Sequence, residues 1–394
     1  MLSELESTIS KTSSVLILSD SPKTESGLAR AAEGIKKSLQ LKGYHVRDVD
    51  DFQEDTWEKK LISGIQSGTT HVITVHDIWN LESIRQIKQR SDSNFIWIGY
   101  VPIEGEQVPQ YVQIGGQHPK KVDIYNILNS MDMIVPYTEF GKKELLKIRD
   151  DIQEPIFHAI DTEKFKFNPY LKKKAKEKEH RLTFGYVGTN IPRKGLDNLI
   201  YNWGKIINAC NEAGYYNPTL YLRTKETGYS VPISELIKLS SDGDSIIQIG
   251  GKMDDQDLLE FYHLIDIYIS CHNAEGFGLP IAEAICCGAF PLVNDYAGPH
   301  DLVYPLKWAG CLPECSVIRD VNLPWVRKNA MIDMDYIEDI LYCEYHNFIL
   351  NEENRIKQSE EMRNKLSYET IGNQWCKIIQ SSQNKSNSIK TVNL

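Results

Sequence analysis

The stretch Glu275-Gly-Phe-Gly-Leu-Pro-Ile-Ala-Glu283 contains two glutamates separated by a glycine-rich turn and the start of an apolar run. It directly follows the strand-like run Asp266–Ser270, and the apolar run predicts a helix that begins near Leu279. Gly276 and Gly278 allow the backbone to approach a ligand closely, and a helix start presents free N–H groups to a phosphate. The stretch therefore fits a nucleotide-sugar; the alternative is a glycine-rich turn followed by a helix-capping acid.

Strand-like and helical runs alternate on both sides of this stretch, which is typical of parallel sheets covered by helices. In the second half we predict strands at Leu182–Val187, Thr219–Leu222, Ser245–Ile249, Asp266–Ser270 and Phe290–Val293, and helices at Gly195–Asn211, Ile233–Leu239, Asp254–Leu264 and Leu279–Cys287. In the first half we predict strands at Val15–Ser19, His45–Val49, His71–His76, Phe95–Val101 and Met133–Val135, and helices at Leu28–Leu41, Trp57–Gln66, Leu81–Arg90, Val122–Asn129 and Glu139–Ile148. The sequence therefore predicts two α/β domains, whose ligands bind beyond the carboxyl ends of the strands.

The pattern also predicts where the domains begin and end. We expect a first domain at 1–167, a linker at 168–181, a second domain at 182–365, a terminal helix at 366–384 and a disordered tail at 385–394. The charged stretch Asn168–His180 is interpreted as a linker or an exposed helix whose lysines are solvated.

The composition excludes several classes of protein. With 41% hydrophobic and 25% charged residues, the 394-residue chain is typical of soluble globular proteins. Residues 1–182 carry 26 Lys and Arg against 27 Asp and Glu, whereas residues 183–394 carry 18 against 27. An acidic chain argues against nucleic-acid binding. Because the apolar runs are short and the amino terminus lacks the features of a secretion signal, we predict a cytoplasmic protein.

The cysteines and aspartates do not form a recognisable metal site. The eight cysteines all follow residue 209 without a C-x-x-C pair, so we expect them reduced and buried, although Cys311 and Cys315 could be bridged. Asp48, Asp50 and Asp51 cluster near a strand end, but they lack the context of a metal-binding D-x-D motif. We therefore expect no bound metal.

A second segment, Phe184-Gly-Tyr-Val-Gly-Thr-Asn-Ile-Pro-Arg193-Lys194-Gly195, ends the first strand of the second domain. Adjacent Arg193 and Lys194 can neutralise a diphosphate leaving group without a metal, because arginine offers a planar fork and lysine a point charge. The alternative is an exposed helix start.

The run Glu275–Glu283 resembles the E-x7-E motif of family 4 retaining glycosyltransferases, and Leu258–Ser270 and Gly288–Val293 resemble its usual flanks. The resemblance implies that Glu275 contacts the donor sugar and that Glu283 binds the nucleotide ribose. It also implies that the donor phosphates lie near the backbone of Gly276, Phe277, Gly278 and Leu279.

The segment Phe184–Gly195 resembles the G-R-x(n)-R-K-G loop of the same family. Thr189 stands where the family commonly has an arginine. The resemblance therefore implies that Arg193 takes over this charge or that the donor is held less firmly.

Segments of the first half extend the resemblance. Ser19–Arg30, which contains Gly27, resembles the family's loop between the first strand and the first helix, which approaches the donor phosphate and the acceptor. The segment from His76 to Trp79 resembles an H-D-x-W motif, so that His76 or Asp77 would contact the sugar or the acceptor. The alternative is a histidine satisfied within its own domain.

Two further segments of the first half resemble loops of the family. Tyr100–Pro109 resembles the loop Y-x-P-I-D-G-x-x-x-P, and Phe157–Phe165 resembles H-G-V-D-x-x-x-F with Ala159 in place of its glycine. The second segment marks the end of the first domain.

The resemblance implies the GT-B fold: two Rossmann-like, doubly wound parallel-sheet domains that face each other across a cleft, with the last helix crossing back to the first domain. It implies a retaining hexosyltransferase with a front-face mechanism and no required metal or other cofactor. The donor would be a UDP- or GDP-sugar, and the acceptor a hydroxyl of a glycan, glycolipid or lipid-linked molecule. The expected catalytic residues are Glu275, Lys194, Arg193, His76 and Asp77.

Other functions remain open. A catalytically silent GT-B protein could bind a nucleotide-sugar or a partner. A sugar-nucleotide epimerase or a phosphorylase would share the fold. The sequence lacks the lysine-centred pyridoxal motif that a phosphorylase would need.

The predicted helix Glu139–Ile148 and the residue after it carry a cluster of basic side chains, Lys142, Lys143, Lys147 and Arg149. Such helices dock some relatives onto anionic membranes, which would place the protein peripherally at the inner membrane face. The alternative, an ordinary solvated helix, is favoured.

Overall fold

The computed structural model describes residues 14–21, 26–49, 57–90, 95–115, 119–226, 231–251, 255–318 and 325–392. The predictions for Asp50, Asp51, residues 1–13, the loop residues 22–25 and the last two tail residues fall outside these ranges. The chain forms two compact units. Unit 1 consists of Met1–Ile103, Gln107–Asp161 and Leu366–Leu394, and unit 2 of Glu104–Glu106 and Thr162–Lys365.

Unit 1 is built on a parallel sheet. Its strands are β1 (Ser14–Ser19), β2 (His45–Val49), β3 (His71–Val75), β4 (Ile96–Val101), β5 (Tyr111–Ile114), β6 (Lys120–Asp123) and β7 (Met133–Pro136). The parallel sheet has the order β2-β1-β3-β4-β7, and β5 and β6 form a separate antiparallel hairpin. The central strand β3 is buried along its whole length, as expected for a parallel strand covered on both faces.

Unit 2 repeats this architecture with more strands. They are β8 (Thr183–Val187), β9 (Thr219–Arg223), β10 (Ile246–Gln248), β11 (Ile267–Ser270), β12 (Phe290–Asn294), β13 (Gly310–Leu312), β14 (Glu314–Ile318) and β15 (Arg327–Ala330). The parallel sheet has the order β10-β9-β8-β11-β12-β13, and β14 and β15 form an antiparallel hairpin. Because β8 and β11 are neighbours, the loops after these two strands begin at the same edge of the sheet.

Helices connect the strands of both sheets. In unit 1 they run over Gly27–Leu41, Trp57–Gln66, Glu82–Lys88, Ile124–Ser130, Glu139–Leu145 and Tyr368–Val392. After residue 161 they run over Pro169–Lys178, Leu196–Tyr201, Trp203–Glu212, Ile233–Leu239, Asp255–Leu264, Leu279–Cys286, Gly298–Val303, Met334–Asp339, His346–Leu350 and Glu352–Leu366. Several begin at side-chain caps; for example, the Ser26 hydroxyl accepts the Ala29 N–H at 3.0 Å.

The structure corrects three predicted helices. The predicted helix Gly195–Asn211 is divided at Asn202, whose backbone leaves the helical region. The predicted helix Val122–Asn129 starts only at Ile124, because Asp123 caps it and Val122 belongs to β6. The predicted helix Glu139–Ile148 ends at Leu145.

The hairpins β5–β6 and β14–β15, together with the short edge strand β13, were not predicted. These strands have three to five residues each, and the exposed strand Glu314–Ile318 carries no apolar alternation that would distinguish it from a loop. Cys311 and Cys315, which flank the link between β13 and β14, are free thiols.

The segment Asn168–His180 forms a helix of unit 2, and the expectation that its lysines are all solvated is wrong. Asn168 caps the helix Pro169–Lys178, and Lys172 is buried. The Lys172 Nζ donates to the Ile265 carbonyl at 2.7 Å and pairs with Asp266 at 2.8 Å. A buried ion pair, which the charge run alone does not reveal, therefore fixes this helix to the sheet.

The helix Tyr368–Val392 completes unit 1 and continues past residue 385, where a disordered tail was predicted. Its Trp375 is fully buried, with its ring edge-on to Tyr100 at 5.2 Å. The Ser382 hydroxyl lies 2.9 Å from Nε2 of His71. The last helix thus supplies part of the core of unit 1.

Candidate functional site

Glu275, Lys194 and Arg193 form one ion-pair cluster at the carboxyl edge of the unit 2 sheet. The Lys194 ammonium donates to Oε2 of Glu275, and Nη1 of Arg193 lies 3.5 Å from the same oxygen. The side chains of Lys194 and Glu275 are largely buried. The structure therefore brings together the two motifs that the sequence places 81 residues apart.

Backbone contacts hold the two loops of this cluster against each other. The Arg193 carbonyl accepts the Asn273 N–H at 2.7 Å, and the Asn273 amide donates to the Pro192 carbonyl at 3.1 Å. Gly195 has a left-handed backbone (φ 63°), and a Cβ atom there would lie 1.9 Å from the Cys271 carbonyl oxygen. Only glycine fits this close approach.

The cluster changes the protonation behaviour of its members. Burial alone would raise the pKa of Glu275, but the charges of Lys194 and Arg193 outweigh it and lower the pKa to about 2. Burial also lowers the pKa of Lys194 below its ordinary value, against the opposing effect of Glu275. Glu275 is therefore a carboxylate at neutral pH.

The turn Gly276–Leu279 connects this cluster to the next helix. Gly278 adopts a left-handed backbone (φ 90°) at the start of the helix Leu279–Cys286, and among the described residues no side chain caps this start. Phe277 is buried, and a Cβ atom on Gly298 would lie 2.1 Å from the Gly276 carbonyl oxygen. The backbone of the turn is thus packed closely against Gly298.

Glu283 lies one turn into this helix and is fully buried. The Tyr262 hydroxyl donates to its Oε2 at 2.9 Å. Thr189, the residue in the arginine position of the motif, is exposed after β8.

Glu104 is a further member of the cluster, and the sequence did not identify it as a site residue. Oε1 of Glu104 lies 3.1 Å from Nη2 of Arg193, and the Glu104 carbonyl accepts the Glu275 N–H at 3.0 Å. The sequence places Glu104 in a loop that resembles the family, but no local pattern indicates a partner 89 residues away.

Gly27, His76 and Asp77 belong to unit 1, where Asp20 links two of the predicted segments. Nε2 of His76 lies 3.1 Å from Oδ1 of Asp20, and the Ser26 hydroxyl, next to Gly27, donates to Oδ2 of Asp20 at 2.6 Å. The hydrogen bond from His76, helped by Ser26, lowers the pKa of Asp20 against the effect of burial. Asp20 was not predicted as a site residue, because no local sequence pattern indicates its pairing with His76.

His76 is buried, and its other ring nitrogen, Nδ1, lies 3.2 Å from the Asn80 amide nitrogen. Both ring nitrogens of His76 thus have partners within unit 1. This is the arrangement expected of a histidine that is satisfied within its own domain. Asp77 is partly exposed and precedes the short 3₁₀ helix Ile78–Leu81. Ala159 is buried, and a Cβ atom on Gly34 would lie 2.7 Å from its carbonyl oxygen.

The basic helix of unit 1 is partly neutralised. Lys142 pairs with Glu154 at 2.7 Å, Lys147 contacts Glu144, and Arg149 pairs with Asp151. Within the described ranges, no helix is long and apolar enough to cross a membrane. Among the same described residues, no group of three or more His, Cys, Asp or Glu side chains could hold a metal ion.

Comparison with known proteins agrees with this architecture. The model of the family described as Glycosyl transferases group 1 matches residues 168–316. No curated protein sequence matches the chain.

Several solved structures have a similar fold at low sequence identity. Sucrose-phosphate synthase from Thermosynechococcus elongatus superposes with a TM-score of 0.64 at 14% identity, over 94% of this chain and 98% of that chain. The catalytic domain of starch synthase IV from Arabidopsis thaliana, bound to ADP and acarbose, gives 0.66 at 13% identity over 95% and 99%. HepE from Anabaena in complex with UDP-glucose gives 0.65 at 13% identity over 93% and 99%.

These likenesses confirm the predicted fold class. The chain has the GT-B fold with two Rossmann-like α/β units, and its residues 168–316 match the glycosyl transferases group 1 model.

Proposed function

We propose that the chain is a retaining glycosyltransferase of the family 4 type, which transfers a hexose from a UDP- or GDP-sugar to an acceptor hydroxyl. The observation that carries this proposal is the cluster of Glu275, Lys194 and Arg193 beside the helix start at Leu279. Two cations and a helix start suit a diphosphate, and a buried carboxylate suits the sugar hydroxyls. The ligands named for HepE and starch synthase IV, UDP-glucose and ADP, support a nucleotide-sugar donor.

The proposed step is a front-face transfer. The acceptor oxygen forms a bond to the anomeric carbon on the face from which the diphosphate oxygen leaves, and the acceptor proton passes to the departing phosphate. Arg193, Lys194 and backbone amides at the helix start would stabilise the negative charge that develops on the diphosphate. Glu275 would orient the sugar and Glu283 the ribose. No metal or other cofactor enters the proposed step.

The direct test follows the release of nucleoside diphosphate. Purified protein is incubated with labelled UDP- and GDP-hexoses, with and without glycan or lipid-linked acceptors, and in parallel with EDTA. We expect acceptor-dependent release that EDTA does not abolish, and a product with the anomeric configuration of the donor by NMR. An inverted product would contradict the retaining mechanism, and loss of activity in EDTA would contradict metal independence.

A catalytically silent GT-B protein is the second candidate, because Thr189 is exposed in the position of the usual arginine. This candidate predicts that nucleotides bind tightly by calorimetry while no donor turns over with any acceptor. Turnover of any donor would eliminate it.

We also propose that the protein is cytoplasmic and reaches a lipid-linked acceptor by peripheral contact through the helix Glu139–Leu145. Lys143 is the exposed cation on this helix, and its substitution leaves the Lys142–Glu154 pair intact. Sedimentation with vesicles containing about one third anionic lipid should bring down the protein at low salt and less of the Lys143→Glu variant. If purely zwitterionic vesicles brought down as much protein as the anionic vesicles do, the result would contradict a membrane contact through these cations.

A further inference from the structure

The segment Glu104–Glu106 is fixed within unit 2 at both of its ends. At one end, the Glu104 carbonyl accepts the Glu275 N–H at 3.0 Å. At the other end, the Glu106 N–H donates to the Tyr296 hydroxyl at 3.0 Å, and the Glu106 carbonyl accepts the Val326 N–H at 3.0 Å. The segment therefore holds the Glu104 carboxylate at a defined place beside Arg193.

Gly105 shows how closely this segment is packed. A Cβ atom on Gly105 would lie 2.3 Å from the Val326 carbonyl oxygen and 2.8 Å from Cβ of Trp325. The backbone here cannot accept a side chain without moving, so the packing of Gly105 against Trp325 and Val326 limits where Glu104 can lie.

The carboxylate of Glu104 acts on the same cations that the proposed function assigns to the diphosphate. Oε1 of Glu104 lies 3.1 Å from Nη2 of Arg193, while Nη1 of Arg193 faces Glu275. The charge of Glu104 also acts on Lys194, whose pKa it raises against the larger lowering effect of burial. Two cations and two carboxylates therefore form a cluster without net charge.

We propose that Glu104 is a positioning residue that holds the Arg193 guanidinium in place and competes with the diphosphate for it. This inference rests on the proposed function, in which Arg193 contacts the diphosphate. Glu104 would weaken the binding of the diphosphate and speed the release of the nucleoside diphosphate product, after which it pairs with Arg193 again.

The substitution Glu104→Gln distinguishes the effect of holding Arg193 in place from the effect of the negative charge of Glu104. The glutamine oxygen can still accept a hydrogen bond from Arg193, but the cluster then carries one net positive charge. We expect the dissociation constants for UDP, GDP or ADP and for inorganic pyrophosphate to fall by about tenfold near 50 mM ionic strength. The dissociation rate should fall in parallel, and the difference in affinity between variant and wild type should be smaller at high salt.

The matched control is Glu106→Gln in the same segment. Glu106 pairs with Lys328 at 2.8 Å, and this lysine keeps a second carboxylate, Glu314, also at 2.8 Å. We expect the control to bind the diphosphates as the wild type does. Uridine and guanosine, which lack phosphates, should bind wild type and Glu104→Gln equally.

Calorimetry of wild type, Glu104→Gln and Glu104→Ala with pyrophosphate and the three nucleotides decides the inference. A merely structural Glu104 would give weaker or unchanged binding when substituted. Equal or weaker binding by Glu104→Gln, with an unchanged circular dichroism spectrum, would overturn the inference. If the glutamine variant does not fold, Glu104→Ala must also bind pyrophosphate more tightly than the wild type.

The outcomes distinguish this inference from the proposed function. If the wild type binds the nucleotides and Glu104→Gln does not bind them more tightly, only the inference is overturned. A wild type that binds no nucleotide overturns the proposed function; tight pyrophosphate binding by Glu104→Gln would then still support the competition. Absence of binding to both proteins overturns both.

Discussion

Nζ of Lys172 lies 2.8 Å from Oδ1 of Asp266, with only 8% and 6% of the two side chains exposed. The same carboxylate pairs with Lys176 at 2.7 Å and accepts the Thr183 hydroxyl at 2.8 Å. Burial alone would raise the pKa of Asp266, but the two lysines outweigh it and hold the pKa well below its ordinary value. This carboxylate joins the helix Pro169–Lys178 to the strands that carry the candidate site.

Asp266→Asn should destabilise the protein by about 3–5 kcal/mol, because it leaves Lys172 buried without a countercharge. Lys172→Met should cost less, since Asp266 keeps Lys176 and Thr183 as partners. Lys173→Met, at an exposed position of the same helix, is the matched control and should change little. Urea unfolding measures all three, and an Asp266→Asn variant as stable as Lys173→Met would contradict the role of the pair.

Gly195→Ala should disrupt the candidate site. The new Cβ atom would lie 1.9 Å from the Cys271 carbonyl oxygen, so the backbone that carries Lys194 must move. We expect a loss of about 1–3 kcal/mol in stability from the strained backbone and a large loss of nucleotide binding. Gly250→Ala, where nothing lies within 4 Å of the new atom, should be near neutral in thermal unfolding. Unchanged nucleotide binding by Gly195→Ala would show that this contact does not position Lys194.

Glu275→Gln and Lys194→Ala should separate transfer from donor binding. Glu275→Gln should abolish transfer, because it removes the carboxylate assigned to the sugar, but it should not weaken nucleotide binding, because Arg193 and Lys194 both remain. Lys194→Ala should weaken donor binding, by about tenfold or more, because it removes a charge from the diphosphate site. Steady-state kinetics and calorimetry measure the two effects. A fully active Glu275→Gln enzyme would show that the site assignment is wrong.

Buried histidines should make the protein sensitive to mild acid. His272 is buried, its Nε2 lies 3.0 Å from the Tyr296 carbonyl oxygen, and burial lowers its pKa to about 4. Between the ordinary histidine value near 6.5 and about 4, the unfolded chain binds a proton that the folded chain does not. Stability is therefore unaffected above pH 6.5 and decreases as the pH falls through this window, by up to about 3 kcal/mol.

The free energy of unfolding is measured from pH 7.5 to 4.5. His272→Gln should remove from its decrease the contribution of the one proton that His272 binds only in the unfolded chain. His71 in unit 1 offers a parallel test, since burial also lowers its pKa to about 4. His71→Gln should remove a similar share, and the two effects should add. An identical pH dependence in wild type and both variants would refute this explanation of acid sensitivity.

Much of the fold and part of the site follow from the sequence, because they depend on local patterns. The alternation of strands and helices predicted two α/β domains, the resemblance of the motifs to a known family implied the GT-B fold, and the apolar run after the glycine-rich turn predicted a helix that begins near Leu279. Contacts between distant residues were not predictable. The partners of Glu104 and Asp20 are set by tertiary packing, and Lys172 looks like its solvated neighbours until the helix is placed beside Asp266.

The membership of the helix Tyr368–Val392 in unit 1 has a consequence for synthesis on the ribosome. Residues Thr162–Lys365 emerge as one continuous segment that holds the sheet of unit 2, whereas unit 1 lacks Trp375 until that whole segment has been translated. Until Trp375 has been translated, the nascent unit 1 therefore exposes the apolar surface around Tyr100 against which Trp375 packs. Most of unit 1 is therefore translated before the sheet of unit 2, but unit 1 receives the last part of its core only afterwards.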